Sequence, residues 1–484
     1  MIPTDYLTHW IPLTSLENMA ETEYDVLIAG TGMGGGAVLW RLCEQWKNSG
    51  KRIGVIERGG PILPAQARNL PMMDNERLDR FFYDVSKPLP GSFPAYAGGR
   101  QLFALGGRTL FWNMISPRMS LSEIAGWPVS LEEMDAYYYI AEEAMNVTHN
   151  YTQGSSLTEI LLGRLHRNGF PEAMAVPMAV DLQPRIYAEP DSDVFFSSMG
   201  FLAQALNRRP FDLAVRARVV QVLVDKGKVT GVQVMSPDRK IYNLKAKNVV
   251  LSASTFETPR LLLHSGIHGR AIGHYLTNHS SIRATGRISR AEFPEVLGTL
   301  GILMPGTAER HYQIQLRGPD SYDWYQTYQE KRLMEELEIL FLAYGRVESR
   351  FENMITLDSN RKDEYGVPEI RVHFSYSDTD QAVILQAMAA VNHLSSALGI
   401  TLIPRVGQSA IYLMPPGDLH HDSGTCRMGG DPATSATDRY GQIHGVSGLY
   451  IADNSVLPSV GTANVALTTA ALAIRTADYI IRQE

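Results

Sequence analysis

Apolar residues recur along this chain with two rhythms, one near 3.6 and one of two, and the switches between them outline an α/β protein. Tyr24-Asp-Val-Leu-Ile-Ala29 is a short apolar run that reads as a strand, Ala37 to Trp46 reads as a helix, and Arg52-Ile-Gly-Val-Ile56 as a second strand. Residues 24 to about 60 therefore have the pattern of a βαβ unit. From Ala214 the rhythm is period two, with Arg216 to Val224, a turn at Lys226-Gly-Lys228, and Val229 to Val234. Asn248-Val-Val-Leu-Ser-Ala253 reads as a buried strand with a helix from Thr258 to His264 behind it. Helical patterns also follow Ser130, a natural cap, through Tyr137 and Ala144, and occupy a charged stretch near Gln329 to Leu340 and the end from about Ala466 to Ile481. Strands and helices mix between about 286 and 415, and an apolar run from Gly445 to Ile451 ends at Ala452-Asp453. There is no internal repeat, low-complexity tract or clean linker.

Composition narrows this picture. At 484 residues the chain can bury a large core and is too long for one ordinary domain. With 44% apolar and 20% charged residues it has the make-up of a soluble globular protein. A net charge of −7 without a basic stretch gives no reason to expect nucleic acid, and mildly favours cationic small molecules. The two cysteines, Cys43 and Cys426, imply no disulfide framework, and no metal-ligand spacing accompanies them. Met1 to Glu23 lacks the features of an export signal and no apolar stretch reaches membrane-spanning length, so a cytoplasmic location is expected.

Chemistry is concentrated at the two ends. Gly30-Thr-Gly32-Met-Gly-Gly35 follows the first strand, where Gly30 suits a tight turn, Gly32 lets the backbone approach a pyrophosphate and Gly35 lets the next helix pack on its strand. Phosphates then face the helix N-terminus, where free N–H groups and the dipole favour negative charge. Glu57, 22 residues beyond Gly35, ends the second strand about where a ribose-binding acid belongs, and it would repel a 2′-phosphate. That motif alone also suits an NAD-dependent dehydrogenase. It leaves unexplained His421-Asp-Ser-Gly-Thr-Cys-Arg-Met-Gly429 and Gly461-Thr-Ala-Asn464. Ser423 and Thr425 have no nucleophile-elbow context, which argues against a hydrolase.

Six ordered motifs together resemble the glucose–methanol–choline (GMC) oxidoreductases: the entry glycines, Leu105-Gly-Gly-Arg-Thr109, Val249-Leu-Ser-Ala-Ser254 with Thr258-Pro, Gly273-His-Tyr-Leu-Thr-Asn-His279, His421-x-x-Gly-Thr425, and Gly445-Val-Ser-Gly-Leu-Tyr-Ile-Ala-Asp453 with Gly461-Thr-Ala-Asn464. Trp112, Pro117-Arg118 and Trp127-Pro128 look closest to the branch holding pyranose oxidases and bacterial sugar or glycoside oxidoreductases. The resemblance implies a Rossmann-like FAD-binding domain with an interleaved α+β substrate-binding domain. The first would comprise residues 1–125, 210–285 and 430–484, the second 126–209 and 286–429. It implies that Gly30, Gly32, Met33, Gly35 and Glu57 hold the dinucleotide and that Val219 lies near the adenine. Gly106, Gly107, Arg108 and Thr109 would face the isoalloxazine or pyrophosphate, with Ala253 and Asp453 near the phosphates or ribityl chain.

For catalysis the resemblance implies His421 as general base above the flavin and Asn464 as the polar group that orients the substrate hydroxyl. A histidine pKa suits removal of that proton while hydride leaves carbon for flavin N5. His420 is the competitor, and strand alternation would let one of the two face the flavin. Some pyranose oxidases attach flavin through a histidine where this chain has Phe111, so FAD is expected to be non-covalent. Asn464 is followed by Val465 where many relatives have proline. Tyr312-Gln-Ile-Gln-Leu316 and Ser321-Tyr-Asp-Trp-Tyr-Gln326 offer aromatic and amide groups that suit a sugar. The expected activity is oxidation of an alcohol on a sugar, glycoside or aminoglycoside by a monomer or small homo-oligomer, with oxygen or another oxidant as acceptor. Alternatives are a non-redox lyase of the same family, a dehydrogenase of non-sugar alcohols, and a non-catalytic flavin-binding protein.

Overall fold

The computed structural model describes residues 11–70, 73–183, 194–294, 297–319, 335–404, 407 and 409–484. The strands of its two large sheets, in chain order, are β1 (Glu23–Ala29), β2 (Ile53–Ile56), β3 (Met174–Ala175), β4 (Asp212–Ala214), β5 (Arg218–Asp225), β6 (Lys228–Met235), β7 (Ile241–Leu251), β8 (Ser280–Ser289), β9 (Leu300–Met304), β10 (Tyr312–Gly318), β11 (Glu336–Gly345), β12 (Thr401–Leu402), β13 (Ile411–Leu413) and β14 (Leu449–Ile451). The helices that matter below are α1 (Met33–Gln45), α2 (Asn75–Val85), α3 (Leu131–Met145), α4 (Ser198–Arg208), α5 (Ser254–His264), α6 (Asp378–Leu398) and α7 (Ala466–Gln483).

Two seven-stranded sheets organise the chain. The first runs β4-β2-β1-β7-β6-β5, with β14 also paired to β7. Its β4, β2, β1, β7 and β14 are mutually parallel, whereas β5 and β6 form an antiparallel hairpin. The hairpin turns at Lys226 and Gly227, both at positive φ, which matches the twist of the flanking strands. β1 is buried at every position after Glu23, as a parallel strand covered on both faces must be. One of those covers is α1, which packs against α4 and α7. The C-terminal helix thus seals the N-terminal motif.

The second sheet, β12-β8-β11-β10-β9-β3 with β13 on β8, is antiparallel throughout. One face packs on α6 around a core that includes Ile282, Ile314, Phe341 and Leu394. The other face looks toward the first sheet.

The structure departs from the sequence reading at one element. The stretch expected to be a charged helix near Gln329–Leu340 enters β11 at Glu336, where Leu337, Ile339 and Phe341 are buried and the residues between them are more open. That period-two burial, paired in register with β8 from Ser289 to Ser280, decided the outcome over charge content. Smaller shifts lengthen α1, which begins at Met33, and α5, which begins at Ser254.

Candidate active site

A cavity of about 560 Å³ runs from the β1–α1 turn to the face of the second sheet. At the first end Gly30 has φ +104°, and a Cβ there would lie 2.2 Å from the Ser252 carbonyl oxygen. A Cβ on Gly34 would meet the Ala452 carbonyl at 1.6 Å, and one on Gly35 the Gly30 carbonyl at 2.0 Å. These two glycines let α1 sit on β7 and β14. Gly32 is different, because a Cβ there would enter open space, and it lines the cavity with Gly107 close by. As N-cap of α1, Gly32 offers no side-chain acceptor, and the first turn holds no acidic residue. Bare backbone at a helix N-terminus is the surface a pyrophosphate requires. The residues present therefore fit FAD.

Of the expected cofactor residues, Gly30, Gly32, Met33 and Glu57 line the first end, with Val219 and Ala253 beside them. Gly107, Arg108, Thr109 and Asp453 line it further along. Gly35 and Gly106 stand behind the lining: the first is a packing glycine, and Gly106 donates its N–H to Thr31 Oγ1 at 3.0 Å. Several side chains have other duties than expected. Glu57 accepts from Thr31 N–H (3.1 Å), the Thr31 hydroxyl (2.7 Å) and Gly59 N–H (2.7 Å), which ties the glycine turn to the end of β2. Burial pushes its carboxyl above the usual range. Asp453 accepts from Ser254 N–H, the Thr258 hydroxyl and both donors of Ser455, so its carboxylate is occupied in fixing the start of α5. Thr109 donates to the Gly106 carbonyl and accepts from Ser198 N–H.

At the far end, His421 and Asn464 both line the cavity. His420 and His421 lie in a turn, not a strand, with His420 at φ +56°, so the alternation expected to separate them does not operate, and both line the cavity. What distinguishes them is their partners. His420 packs its ring on Phe82 of α2, and its Nδ1 is buried without a hydrogen bond among the described residues. His421 Nδ1 lies 2.8 Å from His279 Nδ1, and His279 Nε2 lies 3.2 Å from the Gly461 carbonyl oxygen. A carbonyl can only accept, so His279 carries its proton on Nε2 and presents a bare Nδ1. His421 must then donate from Nδ1, which leaves its own Nε2 as the free base. Burial, with the Arg108 guanidinium adding to it, pushes His421 down to about 4, so the ring is neutral at pH 7. Burial and the neighbouring His421 hold His279 well below the usual histidine range.

The turn carrying His421 is anchored through Asp422. Its carboxylate accepts from the Tyr96 hydroxyl (2.6 Å), Asn278 (2.9 Å) and Arg108 (3.1 Å), and Arg108 also holds the His420 carbonyl. Asn464 is held as firmly: its Oδ1 accepts from Gln313 Nε2 at 3.0 Å and Gln315 Nε2 at 2.8 Å. Both glutamines are buried on β10. They were expected to meet substrate and instead hold Asn464. Tyr312, of opposite parity, lies off the cavity, and Ser321–Gln326 fall outside the described residues. With its oxygen engaged, Asn464 presents its Nδ2 donors. A donor and a bare nitrogen base at one place suit a hydroxyl group, which must accept one hydrogen bond and give up one proton.

Sequence reasoning gave His279 no role and gave Gln313 and Gln315 a different one. His279 was inside a recognised motif, and the signal that it touches His421 was the pairing of two histidine motifs across 142 residues, which only tertiary structure resolves. Phe111 lines the cavity, against Phe81 and Phe82. Cys43 and Cys426 are buried free thiols, and among the described residues no group of three or more potential ligands is placed to hold a metal ion.

A glycine cradle at one end of the cavity and a neutral histidine with a held amide at the other are parts that suit a dinucleotide-dependent oxidoreductase of alcohols. Comparison with known proteins supplies the family. Residues 91–281 and 349–473 match two family models described as GMC oxidoreductase, and the chain belongs to that family of FAD-binding enzymes acting on CH–OH donors. It is 27% identical over 399 residues to a C-glycoside 3-oxidase of Microbacterium trichothecenolyticum, covering 78% of this chain and 75% of that protein. It is 25% identical over 535 residues to a 2-methyl-1,2-propanediol dehydrogenase of Mycolicibacterium austroafricanum, covering 95% of each. Its fold is similar to that of a pyridoxine 4-oxidase from Mesorbium loti, with a TM-score of 0.71 at 16% identity over 95% of this chain and 100% of the other. Among the described residues, no helix is long and apolar enough to cross a membrane.

Proposed function

We propose that this protein oxidises a secondary or primary alcohol on a sugar or glycoside to a carbonyl, with His421 as the proton acceptor. The observation that carries the reading is the fixed tautomer of His421, whose Nδ1–H is committed to His279 and whose Nε2 is left bare. FAD, when bound, supplies the hydride acceptor. Gly32 and the first turn of α1 would hold its pyrophosphate, and Val219 and Glu57 line the end suited to its adenosine. His421 Nε2 takes the hydroxyl proton, and Asn464 Nδ2 donates to the same oxygen to fix its direction. Gln313 and Gln315 hold that amide still, so orientation is set before substrate arrives. Loss of the hydroxyl proton to His421 lets the carbonyl form as the hydride departs.

FAD is bound without a covalent link. The reading rests on the resemblance to those pyranose oxidases whose linking histidine is replaced here by Phe111; Phe111 lines the cavity, and its ring has no atom that can make that bond. Acid precipitation should therefore leave the yellow colour in the supernatant. The sugar class is supported by the similarity to a C-glycoside 3-oxidase. Aminoglycosides fit less well within it, because Arg283 and Arg317 line the substrate end and repel an ammonium. We assign the first sheet with α1 and α7 to the FAD-binding domain and the second sheet with α6 to the substrate-binding domain; β8 lies wholly in the second sheet, so the expected boundary at residue 285 moves to its start at Ser280. The test is anaerobic mixing of the yellow protein with neutral and charged sugars, glycosides and simple diols, followed by air. Bleaching by a sugar or glycoside supports the reading, and prompt recolouring assigns oxygen as acceptor. Bleaching by simple diols alone, or by nothing, overturns it.

A further inference from the structure

The second sheet presents one face to the cavity, and the parity of its strands decides what lines it. On β10, Gln313, Gln315 and Arg317 are two apart and share that face. Opposite them on β11 stand Tyr344, Leu342 and Leu340, and beyond Leu342 on β8 stands Arg283. Arg283, Arg317, Leu340, Leu342 and Tyr344 all line the cavity. Tyr344 reaches the catalytic pair, its ring 5.8 Å from that of His421.

The charges on this face do not cancel. Asp418 is ion-paired to Arg283, and Asp422 to Arg108. The Arg317 side chain lines the cavity, and among the described residues it has no hydrogen bond or ion pair. Arg283 also keeps its Nε buried and without a hydrogen-bond partner among the described residues. A half-buried guanidinium without a counter-ion among the described residues is open to an anion that would complete it. The protein as a whole carries a net charge of −7, so the surplus cation is local to the cavity.

Resting on the oxidation reading above, we infer that the substrate carries an anionic group, a carboxylate or a phosphate, which is seated against Arg317 with Arg283 beside it. Arginine presents a planar fork of donors that matches both oxyanions. Arg317 lies two residues beyond Gln315, about 7 Å further along the strand from the amide that holds Asn464. A single sugar ring with an acidic substituent spans that interval. The reacting hydroxyl sits at Asn464 and His421, and the anion at the open end of the same sheet face.

The experiment is anaerobic flavin reduction of the holoenzyme by matched members of a glycoside panel, such as methyl glucoside, its C6 carboxylate and its 6-phosphate. The wild type, Arg317→Met and Arg317→Lys are compared, with the flavin spectrum confirming folding. An anionic member should exceed its neutral parent in kcat/KM by about tenfold or more, the order expected for charged hydrogen bonds. Arg317→Met should bring that ratio close to one, mainly through KM, and Arg317→Lys should recover part of it. Whether the carboxylate or the phosphate gains most names the anion. If neutral members bleach the flavin as efficiently as both anionic ones, or if the ratio survives Arg317→Met, the inference falls while the oxidation reading stands. If no member of any charge bleaches the flavin, both fall.

Discussion

In the proposed reaction His421 becomes a base by placement. An isolated imidazole has two equivalent tautomers, and one carbonyl, that of Gly461, breaks the tie two residues away through His279. Removing that acceptor with His279→Leu should cost about ten- to a hundredfold in the rate of flavin reduction with little change in KM. His279→Gln, which keeps an acceptor, should retain most of the rate. Equal losses in both variants would contradict this role. The sign of the pH dependence follows from the same geometry. The active form is neutral, and His421 is pushed down to about 4, so the reduction rate should hold from pH 7 through pH 6 and fall only as pH approaches 4. A fall centred on the ordinary histidine value near 6.5 would show that the ring is more solvated than its burial implies. The motif made His421 legible in the sequence. Its tautomer was not, because His279 and Gly461 are brought to it by separate parts of the fold.

Among the elements, the glycine turn was the most legible. Gly30, Gly34 and Gly35 are required by backbone approaching backbone, a demand that leaves a sequence signature because no other residue meets it. Gly34→Ala should therefore cost about 3 kcal/mol or more and yield protein with little flavin, measured by thermal melting and the visible spectrum. Normal stability and full flavin content would show that α1 can slide away from Ala452. By contrast, β11 was misread because Glu336 and Glu338 look like a solvated helix, and only pairing with β8 reveals that the residues between them are core. The His420–His421 turn was likewise taken for a strand. Positive φ at His420 has no signature in a residue that is not glycine.

At the scale of the molecule, chain segments far apart in sequence meet at one cavity. β1, β7 and β14 are neighbours in one sheet, and α7 covers α1, so β1 and α1 near the start of the chain and β14 and α7 near its end form one structural unit. The ordered motifs announced this interleaving, but they did not announce the local excess of positive charge, because net charge averages over the whole surface. In the proposed binding mode FAD would bridge several of these segments. Removing it should lower the melting temperature by several degrees, consistent with about 3 kcal/mol of linkage when FAD is present at about a hundredfold its Kd. Coincident melting of apo- and holoprotein would mean that the cavity is formed independently of its cofactor.

The most direct test of the central claim is single-turnover reduction of the bound flavin, without oxygen, by whichever glycoside bleaches the wild type, repeated on His421→Ala with equal flavin content. If His421 Nε2 takes the hydroxyl proton, the variant should reduce its flavin about a hundred- to ten-thousandfold more slowly at pH 7. A variant that reduces its flavin within a few fold of the wild type would contradict the account and move the search for the base to His420.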